Sequence, residues 1–258
     1  MAPTQESRIP VAPEVARYAE AVVNRLQSLL GDSLLGTYLI GSGSLGGYEP
    51  GSSDIDIIAV CATPLALHAK QAIAEALDHR VLPCPARGLE FVLYSKDAVS
   101  APERSPRFEL NFNTGAGMTH RFSPGPENEP THWYVIDLDI AREHAVPLAG
   151  PPARELLARQ PRAWVLGAIR DSLSWHSREE PSSPNNVLNA CRAWRHVEEG
   201  VWCTKREAAA WARTRLEDPS IIDAALERRR GLPGPGLNAE AVRALVRRVQ
   251  DAVERASA

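Results

Sequence analysis

The chain has 258 residues, of which 44% are hydrophobic and 24% charged, and its 29 basic and 32 acidic side chains give a net charge of −3. This balance is typical of a folded globular protein with one large or two smaller domains, and it excludes wholesale disorder. Without a basic surplus, neither nucleic acid nor an anionic membrane is an expected partner. No apolar run approaches the roughly 20 residues of a membrane span.

The N-terminus and the cysteines predict a cytoplasmic protein, which we expect to be a monomer. Residues 1–14 lack the basic start and the apolar run of a secretion signal. The cysteines show no metal-binding spacing and have apolar or helical neighbours, which favours reduced core thiols over disulfides. They are Cys61, Cys84, Cys191 and Cys203.

The first half of the chain mixes helix and strand signals. Apolar periodicity predicts helices over 14–30 and 64–78, and strands over 34–40, 54–60 and 89–94. Gly31 is expected to end the first helix. The alternating segment 108–113 predicts an edge strand inside a long connection rich in Pro, Gly and Asn.

From about Pro151 strand signals disappear. Helices are predicted over 161–176, 186–199, 204–216, 219–230 and 238–256. Thr204 and Glu207 form a capping-box pair, and the arginine run 228–230 is expected to be a solvated helix face. The predicted fold class is α+β: a mixed sheet with flanking helices over residues 1–150, followed by an all-α helical bundle over 151–258.

The segment from Gly41 to Asp56 carries the strongest chemical signal. Gly41 and Ser42 follow a predicted strand, and their backbone N–H groups and hydroxyl can hold phosphate oxygens. Asp54 and Asp56 open the next strand, where residues two apart point to the same face. Paired carboxylates on a strand suit Mg²⁺, which also takes substrate phosphate oxygens.

The order of these features resembles the nucleotidyltransferase superfamily related to polymerase beta. A strand is followed by Gly-Ser, then by Asp-x-Asp, and then by a second strand. The resemblance implies that Asp54 and Asp56 bind the magnesium ions that accompany a nucleoside triphosphate, with Gly41, Ser42 and Ser53 at the triphosphate. A third acid comes from a later strand in that superfamily, and Glu90 stands at the matching place.

The C-terminal half resembles the aminoglycoside adenylyltransferases that modify streptomycin and spectinomycin. The residues that match this family are Asn185, Arg192, Gly200, Lys205 and the pair Trp211-Ala212. The similarity covers most of residues 36–216, with 97–131 diverging. It implies that Arg192 and Lys205 reach the phosphates of ATP, and that Glu90 is the general base toward an antibiotic hydroxyl. Glu179 and Asn185, with Glu90, are implied contacts of the antibiotic.

Departures from the family pattern bear on the acceptor. Members that accept streptomycin carry acidic residues where this chain has Arg178 and Ser182. The family also tends to have a tryptophan in the segment after the third acid, and the segment after Glu90 has none until Trp133. An arginine repels a guanidinium-bearing substrate, so spectinomycin is expected to be favoured over streptomycin. Two alternatives stay open: the same chemistry on another small-molecule or protein hydroxyl, and a catalytically silent nucleotide-binding regulator.

Overall fold

The computed structural model describes residues 11–127, 129–232 and 236–257. It divides into two compact units that interleave along the chain. Unit 1 holds the described residues up to Lys96, with Glu109–Pro124 and His144–Ala153. Unit 2 holds Asp97–Phe108, the described residues of 125–143, and those from Arg154 onward.

The elements up to residue 149 are a mixture of helices and strands. They are α1 (Pro13–Leu30), a 3-10 turn (Gly31–Ser33), β1 (Leu34–Ile40), α2 (Gly41–Leu45), β2 (Ile55–Cys61), α3 (Leu67–Leu77), β3 (Leu89–Ser95), α4 (Lys96–Val99), β4 (Leu110–Thr114), β5 (Arg121–Ser123), α5 (His132–His144) and β6 (Val146–Ala149). The later elements are all helices. They are α6 (Ala153–Leu156), α7 (Arg162–Glu179), α8 (Pro184–Glu199), α9 (Lys205–Arg213), α10 (Ser220–Arg229) and α11 (Ala239–Ser257).

Within the described residues, six strands form one mixed sheet in the order β5-β4-β3-β2-β1-β6. β2 and β3 are parallel, and the other neighbouring strands are antiparallel. A parallel pair needs a crossover connection, and α3 lies in the segment that joins β2 to β3. The end of β1 therefore meets the beginnings of β2 and β3 at one end of the sheet.

The core of unit 1 lies between one face of the sheet and the helices α1 and α3. Ile55 and Ile57 of β2, with Leu89 and Phe91 of β3, point into this core and are at most 1% exposed. Because side chains alternate along a strand, the residues between them point to the other face. That other face is also largely apolar, since Ile58, Val60 and Tyr94 on it are at most 1% exposed. Asp56 and Glu90 lie at the end of this face, where β2 and β3 begin.

Unit 2 is organised around α8, which contacts α7, α9, α10 and α11. The apolar stripe of α11 predicted from the sequence is buried, and its members are Val242, Leu245, Val246, Val249 and Val253. The predicted capping box is also confirmed, because Thr204 and Glu207 each bond the other's backbone at the start of α9.

The α+β class and the main predicted elements are confirmed, and one prediction is wrong. The segment 108–113 is not an edge strand, because β4 lies between β3 and β5. Helix α5 and strand β6 were not predicted. In α5 the buried side chains are interrupted by acids without a simple stripe, and β6 is a four-residue strand at the sheet edge that contains Pro147, where proline is tolerated.

Gly31 ends α1 as predicted, with a positive φ of 52°. The four cysteines are free and buried, which confirms them as core thiols. Across residues 11–127, 129–232 and 236–257, no helix is both long and apolar enough to cross a membrane.

Two leucines at opposite ends of α3 provide a matched test of this packing. Leu77 is 0% exposed in the core, whereas Leu67 is 54% exposed. We expect Leu77→Ala to lower the free energy of unfolding by about 2–5 kcal/mol, since it leaves a cavity, and Leu67→Ala to change it by less than about 0.5 kcal/mol. Urea unfolding of both variants measures this difference, and equal losses would contradict the core described above.

Candidate functional site

Three carboxylates line up on the face of the sheet that α1 and α3 leave uncovered. Asp54 directly precedes β2, Asp56 is the second residue of β2, and Glu90 is the second residue of β3. Asp56 and Glu90 are register partners across the parallel pair, so their backbones are about 4.8 Å apart and their side chains share a face. We call Asp54, Asp56 and Glu90 the carboxylate row.

The Gly-Ser segment lies against this row. Gly41 begins the short helix α2 with a φ of +61°, and a Cβ at this position would lie 2.7 Å from Cγ of Asp56. Only glycine leaves room for the Asp56 carboxylate here. The neighbouring Ser42 hydroxyl oxygen is buried and has no hydrogen-bond partner among the described residues, which leaves it available to a ligand.

Ser53 shapes the turn that delivers Asp54. Its side chain is buried, and its Oγ accepts a hydrogen bond from the Glu49 amide at 3.0 Å. The Ser53 amide donates in turn to the Glu49 carbonyl at 2.9 Å. Because the Ser53 amide is already used, the hydroxyl proton is the group that could still bind a phosphate oxygen. The contact of Ser53 with a triphosphate stays a prediction.

The carboxylate row also has basic and amide neighbours, which the sequence did not indicate. The Arg87 Nε lies 3.9 Å from Asp54 Oδ1, and the Arg87 amide donates to the Ser53 carbonyl at 3.2 Å. Asn113 is the register partner of Glu90, and Arg121 is that of Asn113. The alternating pattern of residues 108–113 indicated that Asn113 belongs to a strand. The pairing of Asn113 with Glu90 could be seen only in the folded sheet.

In unit 2, cationic side chains from separate helices meet at one amide oxygen. Asn185, in the first turn of α8, accepts a hydrogen bond on Oδ1 from Lys205 Nζ at 2.9 Å and from Arg229 Nη1 at 3.4 Å. Arg192 follows Asn185 by seven residues and so lies on the same face of α8. We call Arg192, Lys205 and Arg229 the cation cluster. Arg229 was not predicted as a site residue.

His176 of α7 is buried next to this cluster. Burial lowers the pKa of His176, and the charges of Lys205 and Arg192 lower it further, whereas Glu180 opposes them. Its Nδ1 lies 3.0 Å from Glu180 Oε2, and its Nε2 lies 2.9 Å from Asn189 Nδ2. A neutral ring that donates from Nδ1 and accepts at Nε2 satisfies both contacts.

Arg178 and Glu179, at the end of α7, form an ion pair with Nε and Oε1 3.6 Å apart, and both side chains are more than half exposed. Ser182 is also exposed. Glu179, predicted as an antibiotic contact, thus has a cation beside it. An exposed pair of this kind is readily exchanged for another partner.

The structure brings Gly41, Asp54, Asp56 and Glu90 together within unit 1, and Asn185 and Lys205 together within unit 2. A cavity of about 470 Å³ in unit 1, between α3, β4 and β5, is lined by none of the predicted site residues. Those predicted site residues that the structure brings together thus belong to the carboxylate row, to its neighbour Gly41, or to the region of the cation cluster. The row offers hard oxygen ligands and a base, and the cluster offers anion contacts.

Comparison with known proteins identifies relatives along most of the chain. Residues 155–252 match the family model described as the aminoglycoside adenylyltransferase C-terminal domain. An aminoglycoside (3'')(9) adenylyltransferase of Shigella flexneri is 30% identical, over 83% of this chain and 85% of the relative. A spectinomycin 9-adenylyltransferase of Staphylococcus aureus is 29% identical, over 89% of this chain and 91% of the relative.

A solved structure shares the fold. The crystal structure of the spectinomycin adenyltransferase AAD(9) from Enterococcus faecialis, with ATP and spectinomycin, covers 92% of this chain and 98% of its own. The TM-score is 0.68 and the sequence identity is 20%.

The contact between Gly41 and Asp56 can be tested against a second glycine with a positive φ. Gly51 has a φ of +79°, and a methyl group added there would meet no described residue within 4 Å apart from its chain neighbours. Gly51→Ala therefore isolates the backbone cost of about 1–2 kcal/mol. Gly41→Ala also forces the Asp56 carboxylate out of its place, and we expect a further loss of about 0.5–1.5 kcal/mol. Equilibrium unfolding in urea compares the two, and equal losses would argue against the close contact.

Proposed function

The chain belongs to the aminoglycoside adenylyltransferase family and is a nucleotidyltransferase, and we propose that it transfers AMP from ATP to a hydroxyl of spectinomycin. Membership confirms the resemblance predicted from the motifs. The observation that carries the proposal is the carboxylate row packed against Gly41, with Asp56 and Glu90 in register on parallel strands. Such a row can supply metal ligands and a base side by side.

The residues present fit a magnesium ion. Asp54 and Asp56 share a face at the start of β2 and offer hard oxygen ligands. Across the residues that the structure describes, no group of three or more His, Cys, Asp or Glu side chains is arranged to hold a metal. Mg²⁺ commonly takes only one or two carboxylates and completes its shell with water and substrate phosphates, so the pair suffices. When bound, Mg²⁺ supplies neutralisation of phosphate charge during the transfer.

Glu90 is the proposed general base. It is exposed, beside Asp56, and its neighbours Leu89 and Phe91 are fixed in the core. It removes the proton from the antibiotic hydroxyl as that oxygen forms a bond to the α-phosphorus of ATP. The bond from the α-phosphorus to the bridging oxygen breaks, and pyrophosphate leaves with its electron pair.

The remaining contacts bind the nucleotide. Gly41 and the hydroxyl of Ser42 are suited to phosphate oxygens next to the carboxylate row. In the proposal Arg192 and Lys205 contact the triphosphate of ATP, as the family resemblance implies. The position of Lys205 supports this role. Lys205 is the first residue of α9, where a positive charge is slightly unfavourable against the helix dipole. A lysine at such a position is more readily explained by a function than by helix stability.

The end of α7 supports spectinomycin over streptomycin. Arg178 brings positive charge to one of the two positions where streptomycin-accepting members carry acids, and the uncharged Ser182 stands at the other. A guanidinium-bearing substrate meets repulsion there, whereas spectinomycin has no guanidinium group. We therefore expect streptomycin to be the poorer acceptor.

The family model matched at residues 155–252 supports the proposed helical domain over 151–258, after a nucleotidyltransferase domain over 1–150. The compact unit 2 adds to the helical part the earlier segment Asp97–Phe108 and the described residues of 125–143. The net charge of −3 supports a small-molecule acceptor rather than nucleic acid. We propose a cytoplasmic monomer.

Pyrophosphate release measures the proposed activity directly. With ATP and Mg²⁺ we expect release in the presence of spectinomycin, much less with streptomycin, and only the blank rate with neither. Equal rates with both antibiotics would refute the role given to Arg178. Rates at the blank level with both, while ATP still binds, would mean that the acceptor is a different molecule.

The role of Glu90 predicts a selective loss. Glu90→Gln preserves shape but cannot accept the proton, and we expect turnover to fall about 10²–10⁴-fold with ATP affinity kept within a few-fold. Glu20→Gln, an exposed change on α1, is the control and should leave both unchanged. Substantial turnover by Glu90→Gln would exclude it as the base.

A further inference from the structure

We propose that Arg229 is a third phosphate-contacting residue, held in position with Lys205 by the side chain of Asn185. This inference rests on the proposed function, because the phosphates are those of the ATP that the enzyme uses. It adds Arg229, which no motif of the sequence indicated, to the cation cluster. It also gives Asn185 a positioning role in place of the antibiotic contact implied by the family resemblance.

The backbone of Asn185 is held in place independently of the cations. It follows Pro184 in the first turn of α8, and its amide donates to the N-cap hydroxyl of Ser183 at 3.2 Å. The backbone of Asn185 is therefore fixed by the start of the helix, and the side chain projects from a defined position. The side-chain oxygen accepts from both Lys205 and Arg229, which uses both lone pairs of the amide carbonyl.

An amide oxygen brings two cations together without neutralising either. A carboxylate at this place would form ion pairs with Lys205 and Arg229, and it would compete with a bound polyanion. The neutral Asn185 orients both cations and adds no negative charge of its own that would compete with a bound polyanion. A ligand that suits several convergent cations carries several negative charges, as a triphosphate does.

The cluster is assembled from separate helices that pack on one another. Arg192 and Asn185 belong to α8, Lys205 begins α9, and Arg229 ends α10, while α8 contacts both α9 and α10. The positive potential of the cluster also acts on buried His176, whose pKa is lowered by burial and, to a smaller extent, by Lys205 and Arg192. Arginine adds a planar fork that can bind two phosphate oxygens at once.

Arg229 differs from the arginines on either side of it. Arg228 and Arg230 are exposed, as expected for a solvated run, whereas Arg229 is half-buried and turned toward Asn185. Arg228 is therefore a matched control, with the same residue type and the same helix end. Changing either arginine to glutamine alters the net charge of the protein equally.

The test compares the affinities for ATP and AMP, measured by calorimetry with Mg²⁺ on the full chain. We expect Arg229→Gln to weaken ATP binding about tenfold or more while AMP binding changes less than about threefold. Arg228→Gln should change neither affinity by more than about twofold. A merely structural role of Arg229 would weaken both nucleotides together, and that result would overturn the inference.

Asn185→Asp separates positioning from folding. The carboxylate pairs with Lys205 and Arg229, so we expect stability to urea to be kept or raised while ATP binds about tenfold or more weakly. Unchanged or tighter ATP binding by this variant would overturn the positioning role.

These outcomes are distinguishable from a failure of the proposed function. If neither antibiotic is modified but Arg229→Gln selectively loses ATP affinity, the cluster is supported and the acceptor is wrong. If antibiotic is modified and Arg229→Gln binds ATP like Arg228→Gln, the inference alone is overturned. If the unaltered protein does not prefer ATP to AMP, the cation cluster does not hold a triphosphate.

Discussion

The parallel pairing of β2 with β3 is the constraint on which the candidate site depends. It places Asp56 and Glu90 side by side, while the adjacent Ile55, Ile57, Leu89 and Phe91 are fixed in the core under α1 and α3. A slip by one residue would move every one of these side chains to the other face. Packing in the core thus fixes the strand register that aligns Asp56 with Glu90. Gly41 completes the arrangement, because a larger residue would displace the Asp56 carboxylate.

Unit 2 meets a different physical requirement, which is to hold like charges near one another. The helices α8, α9 and α10 bring Arg192, Lys205 and Arg229 to the region of Asn185. Apolar packing of these helices supplies the free energy that holds the cations close in the protein without a ligand. Burial lowers the pKa of the neighbouring His176, which disfavours a further positive charge beside the cluster.

Much of this could be predicted from the sequence, since the signals were local. Strand β1, the Gly-Ser segment and the Asp-x-Asp pair lie within a short stretch, and the alternation of β2 and β3 predicts which residues face the core. The capping box of Thr204 and Glu207 likewise needs only its own turn. Helix α5 was missed because its buried residues, including Val135, Ile136 and Leu138, do not form one stripe.

The contacts that could not be predicted are non-local. Arg87 beside Asp54 and Arg229 beside Asn185 join residues that are 33 or more positions apart along the chain; the second joins positions separated by 44. Nothing in an arginine run distinguishes its middle member until α10 is packed on α8. Register across the sheet, which sets Asn113 next to Glu90, is likewise a property of the fold and not of any motif.

The most direct test of adenylyl transfer is mass spectrometry of spectinomycin after incubation with the protein, ATP and Mg²⁺. We predict that the antibiotic gains one AMP group, and that this product forms at least about 100-fold more slowly when Glu90 is changed to glutamine. A gain of phosphate alone, or unmodified antibiotic in the presence of bound ATP, would contradict the proposed reaction.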